Sequence, residues 1–135
     1  LKDLDLLEAQ ADAQRLESKT LYFSPGDFEI DAENADILSD VVTTIRRLTS
    51  LSRETGIALH LSILGHTDES GTREKNLMLA QRRAEVVREH LIGHGIPVQY
   101  LHAMGVSNRA VGDPPSPADR RGLSRSVTFQ VVING

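Results

Sequence analysis

The sequence contains no cysteine. A disulfide, a zinc–thiolate site and a thiol nucleophile are therefore all excluded. The absence does not identify a compartment, because proteins on either side of a bacterial inner membrane can lack cysteine. Basic charge is not in excess either. Fifteen Lys and Arg stand against nineteen Asp and Glu, for a net charge of −4 and an isoelectric point near 5.7. A general nucleic-acid binder is not expected from that balance. No apolar run approaches the ~18 residues of a membrane span. No basic-then-apolar leader opens the chain. Internal repeats are missing, and the one biased stretch is a short loop with Pro114, Pro115 and Pro117.

What is present is an ordinary globular composition: 39% hydrophobic and 25% charged residues in 135. That length predicts one domain, able to bury most of its unfolded-state surface without staples. A disordered chain, a collagen and a disulfide scaffold are ruled out. Residues 1–18 carry Leu4, Leu7 and Ala11 at helical spacing among Asp3, Asp5, Glu8 and Asp12. They are expected to be a linker or a short helix, with the domain proper at 19–135. They also read as the interior of something longer, so a fragment is expected, with any targeting or membrane-anchoring segment upstream of it.

Lys19–Ser24 is rich in β-formers and stops at Pro25-Gly26, a strand and a turn. Phe28 and Ile30 are expected to close that turn against the core. Asp31 is a candidate N-cap with Glu33 in the first turn. Leu38, Val41, Val42, Ile45 and Leu48 make one apolar stripe on a helix over about 32–53, stopped by Gly56. Ile57–Leu64 alternates as a second strand. A second helix over about 73–93 carries Leu77, Ala80, Ala84, Val87 and Leu91, and Gly93 and Gly95 end it. Val98–Met104 is a third strand and Ser124–Ile133 a last one. Helices alternating with strands argue for an α/β sandwich of one sheet and one helical layer.

Chemistry is expected between Gly65 and Ala84. There a buried strand empties into the polar loop Gly65-His66-Thr67-Asp68-Glu69-Ser70-Gly71, and a helix follows with Asn76 and Arg83. Loops at the carboxyl ends of strands in α/β sheets are common ligand sites. Asn76 and Arg83 are seven residues apart, which sets them about 20° apart around the helix. Both flank the apolar stripe and are expected along the lip of a groove. An Asp and an Arg that do not neutralise each other can hold a zwitterion, the carboxylate taking an ammonium and the guanidinium a carboxylate. Backbone N–H groups at the helix start could hold further ligand oxygens. The alternative is structural: Asp68 caps the helix or the loop, and Arg83 pairs with it or with Glu85.

Gly65-His66-Thr67-Asp68, Gly71, Asn76, Leu79, Arg83-Ala84 and Val87 resemble the OmpA-like peptidoglycan-associated domain. Its pattern reads G-H-T-D, two residues, G, four residues, N, two residues, L, three residues, R-A, and the register here is intact. Leu91, Gly95-Ile96, Leu101 and Gly105 extend the resemblance through the helix end and third strand. Arg125 and Val127 fall before the last strand, and Tyr22-Phe23 and Leu38 suit the first strand and helix. It spans about residues 19–134. The family includes outer-membrane anchors and flagellar stator proteins of Gram-negative bacteria. The implied fold is a βαβαββ sandwich, a mixed sheet with helices packed on one face.

The resemblance implies a binding module: no enzyme, no cofactor, no metal. The partner it implies is peptidoglycan, held non-covalently through the meso-diaminopimelate of the stem peptide. Asp68 would take the free ammonium and Arg83 a carboxylate. Asn76 would order the loop or touch the ligand, and Gly65, His66, Thr67, Gly71 and Arg125 would support them. The implied place is the periplasm, as part of an outer- or inner-membrane-anchored protein. The sequence departs from the family pattern in Ser124-Arg125-Ser126-Val127, which stands where the family has N-R-R-V, and in Ala80, which stands for a serine. Arg120 and Arg121 fall near the family's glycine-arginine. These departures motivate an alternative, a degenerate domain that dimerises or docks to a partner of an envelope machine. A hydrolase using Asp68 and His66 lacks support: there is no Ser-His-Asp order, metal cluster, paired carboxylates or phosphate loop. Of the five histidines, His90 and His94 are expected at an exposed helix end, although i, i+4 spacing can grip a metal. His66 is expected as a hydrogen-bond partner. His60 and His102 sit in strands, facing either solvent or a partner.

Overall fold

The computed structural model describes residues 3–67, 71–107 and 125–134. Helix α1 (Asp3–Glu17) leads into strand β1 (Thr20–Tyr22), helix α2 (Ala32–Thr55), strand β2 (Ala58–Thr67), helix α3 (Arg73–Gly93), strand β3 (Leu101–Ser107) and strand β4 (Ser126–Asn134). The sheet runs β1-β4-β2-β3. β2 and β3 are parallel, while β4 is antiparallel to both β1 and β2. This is the expected mixed α/β sandwich, preceded by one further helix.

The helices begin and end where side chains satisfy their free backbone groups. Asp31 Oδ1 accepts from Asn34 N at 2.8 Å, and Gly56 closes α2 in the left-handed conformation, φ 78°. At the start of α3 the cap is Thr72, whose Oγ1 accepts from Lys75 N at 3.2 Å. The expected third strand is shorter at its start. Pro97 fixes the entry and Tyr100 N donates back to Pro97 O, so Val98–Tyr100 is a 3-10 turn.

Leu59, Leu61 and Ile63 of β2 and Val127 and Phe129 of β4 turn to one face. They meet Leu38, Val41, Ile45 and Leu48 of α2 and Ala84, Val87 and Leu91 of α3 in one core. Helix α1 joins it through Ala9 and Leu16, both buried. Its rim is pinned by ion pairs, Arg47–Asp12 at 2.9 Å and Arg15–Asp40 at 2.7 Å, with Lys19 also on Asp40 at 2.9 Å. Phe28 was expected against the core; it stands 40% exposed instead, 5.4 Å from the Arg82 guanidinium. The cation has drawn it outward over its own charge.

Helix α3 lies unusually close to the sheet. A Cβ on Gly65 would overlap the Ala80 carbonyl oxygen, and one on Gly105 would stand 2.6 Å from Gln81 N. Glycine in β2 and in β3 lets the helix backbone settle directly onto both strands. That proximity brings the Gln81 amide to the β3 edge. Its Oε1 accepts from Gly105 N at 2.7 Å and its Nε2 donates to Ala103 O at 3.3 Å. Arg88 Nε donates to Leu101 O at 3.2 Å. Among the described residues the opposite face of the sheet carries no helix, and Tyr22, His60, His102, Met104 and Val132 are exposed there.

Candidate functional site

Tyr22 pairs with Ser126, Ser126 with His66 and His66 with Val106, a single row across all four strands. The row marks one end of the sheet, where β1, β2 and β3 finish and β4 begins. The candidate residues gather at this end. Asp68 lies outside the described residues, as do Arg120, Arg121 and Ser124.

Arg83 was expected on a groove lip. It is fully buried instead. Its Nε donates to the Asp27 carbonyl oxygen at 2.8 Å and its Nη2 to Ser24 O at 3.1 Å, with Cζ 5.5 Å from the centre of the Phe23 ring. Guanidinium has no accessible neutral form in a protein. A permanent cation is thus enclosed between α3 and the turn after β1, where carbonyl dipoles and an aromatic face offset its loss of water. Arg125 grips the same segment. Its Nε donates to Phe23 O at 3.2 Å, and its backbone oxygen accepts from Phe23 N at 2.7 Å.

Asn76 is also buried, one turn into α3. Its Oδ1 would lie 3.8 Å from a Cβ placed on Gly71, itself at φ 137°. That backbone conformation favours glycine, and the Asn76 amide lies beside it at the start of α3. Thr67 is buried on the helix side of β2. His66 points to the other face, with Nε2 2.8 Å from Thr128 Oγ1. Ser126 is fully buried.

Arg83 and Arg125 therefore converge on one segment, residues 23–27, and Asn76 and Gly71 on another. That first segment, Phe23, Ser24 and Asp27 above all, was missed as part of the site. Its signal was faint: Pro25-Gly26 marks a turn, but no local pattern says that a distant arginine will fill it. His90 also differs from its expected exposure. It is half-buried, its ring stacked on His94 at 4.4 Å, and burial together with the His94 charge lowers its pKa.

The OmpA family profile matches residues 22–125. The chain belongs to the OmpA family. Among curated relatives, the peptidoglycan-associated lipoprotein of Agrobacterium fabrum is 40% identical over 72 residues, which covers 53% of this chain and 40% of that protein. The chain spans 29% to 40% of the length of the first curated relatives it matches. Among solved structures, the peptidoglycan-associated lipoprotein of Burkholderia pseudomallei superposes with a TM-score of 0.69 at 23% identity, covering 85% of this chain and 91% of that one. The periplasmic domain of Helicobacter pylori MotB gives 0.63 at 18%, covering 84% and 69%. At those identities the likeness is one of fold, an OmpA-like α/β domain of the kind found in both proteins. Among the described residues no helix is long and apolar enough to cross a membrane.

Proposed function

We propose that this domain binds peptidoglycan without covalent chemistry and anchors a larger periplasmic envelope protein to the wall. The observation that carries the reading is the buried Arg83 guanidinium at the strand-end row, in a chain of the OmpA family. Its relatives point the same way: one is a peptidoglycan-associated lipoprotein, another a periplasmic domain. A fixed cation held by the fold favours an anionic group nearby. The ligand in this reading is the diaminopimelate of the stem peptide. Asp68 takes its ammonium, Arg83 supplies charge for its carboxylate, and Asn76 with Gly71 holds the loop in register. A wall is a lattice, so many weak contacts add through effective concentration.

The test is co-sedimentation with purified sacculi. Diaminopimelate sacculi should retain the domain, and sacculi with lysine in its place should retain it poorly, because lysine lacks the second carboxylate. Asp68→Ala should abolish retention with the circular dichroism spectrum unchanged. Arg83→Lys should weaken it. Undiminished retention of both variants would refute the assigned residues.

One observation favours a second reading. Arg83 already donates to two main-chain oxygens, as a purely structural arginine would. A domain that keeps the fold but docks to a partner or dimerises would show no diaminopimelate-induced NMR shifts in residues 65–83, and sedimentation would show self-association.

A further inference from the structure

His60 lies on β2 and His102 on the neighbouring parallel strand β3, on the face of the sheet away from the helices. Both are exposed. Their rings approach through His60 Nδ1 and His102 Nε2, 3.3 Å apart, with centroids 5.4 Å apart and planes tilted by 40°. As a hydrogen bond this is long, beyond the usual range of about 2.7–3.2 Å for a nitrogen donor, and two rings bathed in water have little need of it. The same spacing has another meaning. Two nitrogens each about 2.0–2.1 Å from a tetrahedral zinc stand about 3.3–3.4 Å apart, and the ring centres behind them about 5.2 Å apart. The pair matches both distances.

We propose that His60 and His102 form a two-histidine chelate for a divalent transition-metal ion of the imidazole-preferring kind, zinc or copper(II). The ion sits about 1.2 Å off the line between the two nitrogens, on the side where both rings are exposed. Either ring nitrogen of a neutral histidine can ligate. The scaffold suits the role: β2 and β3 are paired continuously from Leu61↔Leu101 to Thr67↔Ser107, so the rings ride on strands rather than loops, and rigid elements hold ligand geometry best. Among the described residues no third His, Cys, Asp or Glu completes a set of three. Water fills the remaining positions, which makes the site exchangeable rather than structural. Copper(II) should bind more tightly than zinc, following the general order of affinities.

The experiment is calorimetric titration of the intact domain with zinc chloride and, separately, copper(II) sulfate. One equivalent should bind. His60→Gln and His102→Gln should each weaken binding by about a hundredfold, the usual scale of gain from a second, intramolecular contact. His94→Gln should leave it unchanged, which separates this pair from the stacked His90–His94 pair. With copper(II), electron paramagnetic resonance should show two imidazole nitrogens, and amide signals of residues 60 and 102 should broaden first. Both positions are exposed, so the variants should fold, as circular dichroism will verify. Absence of binding to either metal at millimolar concentration would overturn the proposal. So would wild-type affinity in both strand variants, or loss of the site in His94→Gln alone.

Discussion

A methyl group added at position 65 would occupy the volume of the Ala80 carbonyl oxygen, while one added at position 93 meets nothing within 4 Å. The two glycines of helix–sheet contact and helix end therefore predict opposite outcomes. Gly65→Ala should cost about 3 kcal/mol in urea unfolding, the upper end of overpacking costs, because the obstacle is backbone. Gly93→Ala should leave stability unchanged or raise it by about 0.5 kcal/mol. Equal effects would mean that α3 does not rest on β2 as closely as described. Arg83 illustrates a different residue-level lesson. Its place on α3 was legible from the family pattern, but its burial was not. A long cationic side chain on a helix usually reads as solvated. The turn at residues 24–27, distant in sequence, supplies two of the acceptors that make burial tolerable.

Among the elements, α1 is the one whose attachment depends on charge. The Arg15 guanidinium and then the Lys19 ammonium hydrogen-bond to Asp40 and hold its carboxyl down at about 2. A carboxyl depressed in the folded state stabilises it above the ordinary Asp value of about 3.9 and loses that contribution as pH falls through about 2. The protection factors of α1 amides should thus fall between about pH 4 and pH 2, and in Asp40→Asn they should be lower than in the parent already at neutral pH. The pairs are solvent-exposed and individually weak, so the global unfolding midpoint should move little. The helices were the legible part of this architecture. Their apolar stripes, the Asp31 cap and the Gly56 stop are local signals, and α2 and α3 appear within two residues of their expected bounds. The Thr72 cap was not foreseen, because Asp68 and Ser70 in the preceding loop offer equally good capping side chains in sequence. Strand positions were legible from alternation, but strand order was not. Whether β4 lies beside β1 or outside β3 depends on contacts more than a hundred residues apart, and no local pattern encodes them.

At the scale of the whole molecule, β3 is an edge strand among the described residues, and edges invite other chains. Here the Gln81 amide stands in for the missing strand by serving Gly105 N and Ala103 O together. Gln81→Ala should lower stability by about 1–2 kcal/mol and increase concentration-dependent association in sedimentation velocity relative to the parent domain run alongside. Loss of stability without association would limit the amide to an internal role. The position of β4 carries a consequence for synthesis. Among the described residues it is the last strand in chain order, yet it is the strand that β1 pairs with, and it covers one flank of β2 from Ala58 to His66. A nascent chain halted before Ser126 can wind its helices and form the β2–β3 pair, but its sheet stays split until β4 emerges. Synthesis must pass Asn134 before this domain can become native, and loss of that single strand should leave a substrate for chaperones and proteases rather than a smaller working domain.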